Sequence, residues 1–167
     1  MKAIRRLIEW FIVLVSGEPH FYIGGRSNPY MLRWYLIPRN GLLNVYLHKF
    51  MRDDDDSALH DHPWWFVSVM LRGGYWETRT NSDPDIPMTN EIRTWRGTGS
   101  FAFRRATDRH RVTLSKDGDW QPIPCWTLVL TGPRVREWGF HCPKGFVPWH
   151  QFVSPVDSGE VGKGCGD

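Results

Sequence analysis

The feature that most constrains this chain is how often its apolar runs are interrupted. Tyr30 to Pro38, Leu42 to Met51, Trp64 to Leu71, Tyr75 to Arg79, Glu91 to Arg96, Ser100 to Arg104, His110 to Leu114, Trp126 to Thr131 and Arg134 to Phe140 each read as a strand. Asn40-Gly41, Gly73-Gly74, Gly97 to Gly99, Lys116 to Asp119 and Gly132-Pro133 separate them, and all are turn-forming sequences. Asn40-Gly41 in particular predicts a tight hairpin. Roughly eight to ten strands with one helix predict an all-β fold, an antiparallel barrel or a double-sheet jelly roll.

At 167 residues the chain suits one domain with a proper core. Residues 1–18 read as a helix packed on the barrel, 19–156 as the barrel, and 157–167 as a flexible glycine-rich tail. The apolar run Leu7 to Val15 follows Lys2, Arg5 and Arg6, but Glu9 interrupts it, no small-residue cleavage site follows, and it is too short to span a bilayer. The net charge of +3 is too mild, and the basic residues too scattered, to imply nucleic acid. Cys125, Cys142 and Cys165 are odd in number and irregular in spacing, so no disulfide framework is expected and a reducing cytoplasm is the default. The expected partner is a small molecule, with neither nucleic acid nor membrane.

Within this frame His60-Asp61-His62 carries the chemistry. On a strand, residues i and i+2 face the same way, so both imidazoles aim at one side and can share an ion. Imidazole suits several transition metals, and the pair alone does not choose among them. Two surface histidines after the acidic run Asp53 to Asp56 are the plainer alternative. That run lacks the pattern of a calcium loop and reads as a solvated turn.

The pattern resembles the cupin superfamily, whose motifs are G-x5-H-x-H-x3,4-E-x6-G and G-x5-P-x-G-x2-H-x3-N. His60 and His62 take the paired histidines, and the closing glycine falls on Gly73 or Gly74. Gly99 and His110 align on the second motif with the required ten residues between them. The departures are Asp54 for the opening glycine, Phe66 or Val67 for the glutamate, and Arg105, Thr107 and Leu114 for the later proline, glycine and asparagine. The resemblance implies a cupin-like double-stranded β-helix whose interior holds one divalent transition metal on His60, His62 and His110. Cysteine dioxygenase-like cupins also bind iron(II) through three histidines without the glutamate, so the resemblance favours iron(II), with zinc, nickel or manganese as alternatives. Small cupins are often dimers, which makes a homodimer the analogous expectation here.

Glu77 and Tyr75 share one strand face and are the candidate catalytic residues: Glu77 as a replacement ligand or general base, Tyr75 as a proton donor. The plainer alternatives are an exposed strand glutamate and a packing tyrosine. His48 is a candidate pocket residue. Arg105, Arg111 or an inward Arg136 are candidates for binding an anion, although parity turns Arg109 and Arg111 away from His110. His141, Cys142 and His150 raise a second zinc idea, but their spacing fits no common structural pattern. Motifs for nucleotide binding and serine hydrolysis are absent. The leading expectation is a mononuclear non-haem iron(II) oxygenase. The alternatives are a non-catalytic ligand-binding or structural cupin module and a metal-independent sugar epimerase or isomerase.

Overall fold

The computed structural model describes residues 2–54, 58–80, 91–154 and 162–166. Two six-stranded antiparallel sheets face each other. The first has the order β1-β2-β3-β10-β5-β8, built from Phe21–Ile23, Met31–Tyr35, Asn44–Phe50, Cys125–Thr131, Phe66–Arg72 and Phe101–Arg104. The second has the order β12-β11-β4-β9-β6-β7, built from Gly145–Pro148, Gly139–Cys142, Leu59–His60, His110–Leu114, Gly74–Thr80 and Glu91–Gly97. From β3 to β6 and again from β7 to β11 successive strands alternate between the sheets, as in the expected cupin-type jelly roll, while β1–β3, β6–β7 and β11–β12 are hairpin neighbours within one sheet. Helix α1 (Lys2–Ser16) precedes the strands, and the single turn α2 (Trp149–Phe152) follows them.

Period-two burial fixes which side chains point inward. Along β3 the residues alternate between buried and half-buried, with Tyr46, His48 and Phe50 inside. β10 does the same with Cys125, Thr127, Val129 and Thr131. Met31, Phe50, Met70, Tyr75, Val112, Leu114 and Cys125 close one region of the barrel as an apolar cluster. Ala58, Cys142 and Phe152 form a second cluster under α2. Gly73 (φ 79°) turns the chain from one sheet to the other, and Gly99 (φ 84°) turns β7 into β8. Both are the glycines singled out by motif spacing, at backbone angles that disfavour any side chain.

Several expectations need correction. His60 and His62 do not share a strand with the apolar run after them: β4 ends at His60, and the chain then crosses between sheets to begin β5 at Phe66. Asn40-Gly41 does not make a tight hairpin, because β2 and β3 pair only as far as Tyr35 and Tyr46. The wider loop is instead organised by Asn40 Oδ1, which accepts from the backbone of Leu42 (2.9 Å) and Leu43 (3.0 Å). Residues 134–138 are irregular, and the strand there starts at Gly139. Asp53 and Asp54 are not a solvated turn. β4 is too short to cover the edge of β9, and these carboxylates accept from its backbone instead, at Leu114 N (2.7 Å) and Val112 N (2.6 Å).

A disulfide joins Cys142 to Cys165, against the expectation of none. It ties the described part of the chain end, residues 162–166, to β11, and Gly162 N also donates to Phe152 O at 2.9 Å. Most of the rest of the expected tail lies outside the described residues. Helix α1 is joined to the barrel by Trp10 Nε1, which donates to Tyr35 O at 2.7 Å. Val13 and Leu14 are half-buried, whereas Ile4, Leu7, Ile8, Phe11, Ile12 and Val15 are exposed. Among the described residues, no helix is long and apolar enough to cross a membrane.

Candidate metal centre

Three strand-level facts bring the histidines together. His60 on β4 and His110 on β9 are direct cross-strand partners, so their side chains leave the same face. His62 lies two residues on, where its backbone N–H donates to Ala106 O at 3.2 Å and holds the crossing segment in place. Asp61, between them, points the other way and is 1% exposed. Its carboxylate accepts from Arg136 Nη1 (2.5 Å), His141 Nε2 (3.0 Å) and Gly139 N (3.0 Å), which locks β4 onto the segment leading into β11.

The three rings form a nearly equilateral triangle, with centroids 5.2 Å (His60–His62), 4.8 Å (His60–His110) and 5.0 Å (His62–His110) apart. One ring nitrogen from each lies within 4.8 Å of the others. His62 Nε2 and His110 Nε2 are 2.8 Å apart. Two nitrogens bound to one ion at about 2.0–2.1 Å each would sit roughly 3 Å apart, so this pair already has the spacing of a shared ion.

Glu77 sits behind the triangle. It is 2% exposed, and its Oε1 lies 3.1 Å from His110 Nδ1. A carboxylate only accepts, so Nδ1 carries the hydrogen and the Nε2 lone pair of a neutral His110 faces the cavity. Arg104 Nε donates to Oε1 at 2.9 Å, Arg104 Nη2 donates to Oε2, and Arg96 Nε donates to Oε2 at 2.9 Å. Burial alone would raise the Glu77 carboxyl pKa, but the hydrogen bonds from His110 and Arg104 outweigh it and hold the group well below the usual carboxylate range. Glu77 therefore stays ionised and outside the three-nitrogen cluster.

Burial pushes His60 down to about 4, although Asp54, with Oδ2 3.8 Å from its Nδ1, pulls the other way. Burial also holds His62 well below the ordinary imidazole value, and His110 and His60 add to the effect. Both rings are therefore neutral at ordinary pH, the form that binds metal. Tyr75 packs inward, is hydrogen-bonded to Ser68, and is held protonated mainly by its burial. Phe66 presents its edge to His62 at 4.7 Å, and Trp138 stacks on the same ring at 6.2 Å.

The triangle opens into a cavity of about 360 Å³ lined mostly by apolar and aromatic side chains, including Tyr30, Phe50, Phe66 and Trp138. That lies within the range of about 300–1,000 Å³ typical of small-ligand pockets. His48 and Tyr75 also line it. The other sequence candidates lie elsewhere. Arg111 pairs with Glu91 at 2.7 Å, Arg105 is exposed, and Arg136 donates from Nη1 to Asp61 and to Ala106 O. His141, Cys142 and His150 do not converge: they bind Asp61, the disulfide and Glu137 respectively. Sequence reasoning missed Arg104 and Asp61. The inward parity of Arg104 on β8, beside outward Phe101 and Phe103, was the available signal.

No family model matches the sequence, and no curated protein matches it. Solved structures do match in three dimensions. One is Fe(II)-HppE with the alternative substrate (S)-1-HPP, at 15% identity and TM-score 0.51, covering 70% of this chain and 56% of that one. Another is hydroxypropylphosphonic acid epoxidase from S. wedmorenis, at 16% identity and TM-score 0.46, covering 61% and 50%. A third is a conserved protein with a double-stranded beta-helix domain from Klebsiella pneumoniae, at 15% identity and TM-score 0.48, covering 74% and 97%. This chain therefore spans little more than half the length of the HppE structure, and at that identity the likeness concerns the fold alone.

Proposed function

We propose that this chain is an enzyme that holds one divalent transition ion, iron(II) by preference, on His60, His62 and His110, and oxidises a small molecule with dioxygen. The observation that carries the reading is the three-imidazole triangle, with His110 fixed by Glu77 so that its Nε2 lone pair enters the aromatic-lined cavity. A donor set of three neutral nitrogens fits iron(II), zinc or nickel, and leaves the ion its full charge and open positions. Bound there, the ion would supply Lewis acidity and sites for substrate and dioxygen. The chain's own residues do the rest. Glu77 and Arg104 hold His110 in orientation and tautomer. Phe66, Trp138 and the aromatic lining exclude water. Tyr75 keeps a hydroxyl proton within the cavity wall.

The test is elemental analysis of protein purified without a chelating tag, beside the double variant His60→Ala/His62→Ala. Near-stoichiometric metal in the parent and its loss in the variant are expected. Metal retained after both histidines are removed would place the ion elsewhere. Dioxygen consumption by iron-loaded protein with aromatic acids or diketones supports the oxygenase. A stably metallated protein that consumes none with any of them is a binding module.

A further inference from the structure

Sheet register builds a second polar group into the cavity, opposite the triangle. On the inner face of the first sheet, Arg33 (β2), His48 (β3) and Thr127 (β10) are consecutive cross-strand partners. All three line the same cavity as the three histidines, and Arg33 is the one Arg or Lys among its described lining residues. Arg33 Nε donates to His48 Nε2 at 2.9 Å, and the guanidinium lies over the Tyr46 ring at 4.9 Å. These contacts aim the fork but give it no counter-charge. Arg104 and Arg96 have Glu77, Arg111 has Glu91, and Arg136 has Asp61. Arg33 pairs with no carboxylate among the described residues, and its two terminal nitrogens have no hydrogen-bond partner there. Thr127 Oγ1, in the same row, is buried and also unpartnered.

We infer that Arg33 is the anchor for the carboxylate of a small organic acid whose apolar body lies along the aromatic wall toward His60, His62 and His110. A half-buried guanidinium turned toward an apolar cavity with no acid beside it is only partly compensated by the His48 hydrogen bond and the Tyr46 ring. An oxyanion would complete the compensation. With Nε committed to His48, the free edge is the Nη1/Nη2 pair, which matches two oxygens of a planar carboxylate in bidentate fashion. A single cation with no lysine beside it suits a monoanion better than a dianionic phosphoryl group. The mainly apolar lining excludes a heavily hydroxylated body such as a sugar. Placing the reacting end at the metal rests on the function proposed above; the anchor itself does not.

Phenylacetate is the probe, with 2-phenylacetamide as its uncharged counterpart and phenylphosphonate as its phosphoryl counterpart, titrated by tryptophan fluorescence into metal-free and iron-loaded protein. Phenylacetate should bind about 10- to 100-fold tighter than the amide, as expected for a charge-assisted hydrogen-bonded pair. Arg33→Met should erase that preference, and Arg33→Lys should keep part of it. Arg33→Met should also melt no lower than the parent, because it removes an unpaired charge; a purely structural arginine would lower the melting temperature. If His60→Ala/His62→Ala loses metal but keeps the Arg33-dependent preference, the anchor stands whatever becomes of the metal reading. A preference that survives Arg33→Met and disappears with the two histidines would put the carboxylate on the metal and overturn the anchor. Tighter, Arg33-dependent binding of phenylphosphonate would overturn the choice of carboxylate. Absence of any preference among the three probes would overturn the anchor altogether.

Discussion

The two inner walls of the barrel treat their polar groups in opposite ways. On the second sheet, His110 and Glu77 are held by each other, by Arg96 and by Arg104, which reaches across from β8 of the first; among the described residues of the second sheet, Arg79 Nε, 3.9 Å from Glu77, is the buried side-chain donor without a hydrogen bond. On the first sheet, Arg33, Thr127 and Thr131 line the same cavity with donors left over. A satisfied network is rigid and fixes geometry before any ligand arrives. An unsatisfied one costs stability in the empty state and recovers it when something binds. The contrast divides the labour: the second sheet, completed by Arg104 from β8, prepares the histidines, and the β2–β3–β10 part of the facing wall is left incomplete for a ligand.

Breaking the satisfied wall should have the largest effect. Glu77→Gln leaves Arg104, 5% exposed, without its counter-charge, and should cost about 3–5 kcal/mol in urea denaturation. The same change loosens His110 Nδ1, so metal affinity in chelator competition should fall roughly 10- to 100-fold. Adding Arg104→Met should recover part of the stability and none of the metal affinity. A loss below about 1 kcal/mol for Glu77→Gln would mean that this wall is no tighter than an exposed ion pair.

Acidification probes the histidines themselves. His60 titrates near 6.5 when unfolded and about 4 when folded, so between these values the unfolded chain binds the extra proton. The stability of metal-free protein is therefore fully present above the upper value and is lost as pH falls toward the lower one. This one group accounts for about 3 kcal/mol, from roughly 1.4 kcal/mol per pH unit. Glu77 acts in a separate window: its depressed carboxyl contributes above the unfolded carboxylate value of 4.5, and the contribution is lost only below that. Thermal melts of metal-free protein should thus decline first between about pH 6.5 and 4, and His60→Gln should flatten that part of the curve. An unchanged slope in the variant would assign the decline to other groups.

The triangle was legible because each of its parts is local: the i, i+2 parity of His60 and His62, and the Gly99 to His110 spacing. Parity put Glu77 and Tyr75 on one face but did not say which; both are buried, so the exposed strand glutamate is not what forms. What Glu77 touches did not follow, since Arg104 reaches it from the opposite sheet, 27 residues away. Arg33 was hidden by its own strand. In Met31–Tyr35 apolar side chains take both faces, Leu32 and Trp34 outside and Met31 and Tyr35 inside, so hydrophobic alternation does not say which way Arg33 points. The acidic run had no partner in sequence because its partner is a strand edge left bare by a two-residue β4. The Cys142–Cys165 link could not be read from an odd number of cysteines.

The finest test of the contrast lies in two hydroxyls. Thr127 and Thr131 are each 1% exposed, with Oγ1 buried and unpartnered. Valine keeps the branched shape and deletes the donor, and losing an unsatisfied polar group is neutral to favourable. Thr131→Val should therefore raise the stability of ligand-free protein by about 1 kcal/mol, and Thr127→Val should do the same. The control is Ser68→Ala on the neighbouring β5: this hydroxyl is hydrogen-bonded to Tyr75, so its removal should destabilise by about 1 kcal/mol. Opposite signs for the threonines and the serine on one sheet face would separate groups the fold has completed from groups it has left open. If both threonine variants lose stability, their hydroxyls already have partners, and the wall facing the triangle is as closed as the one that builds it.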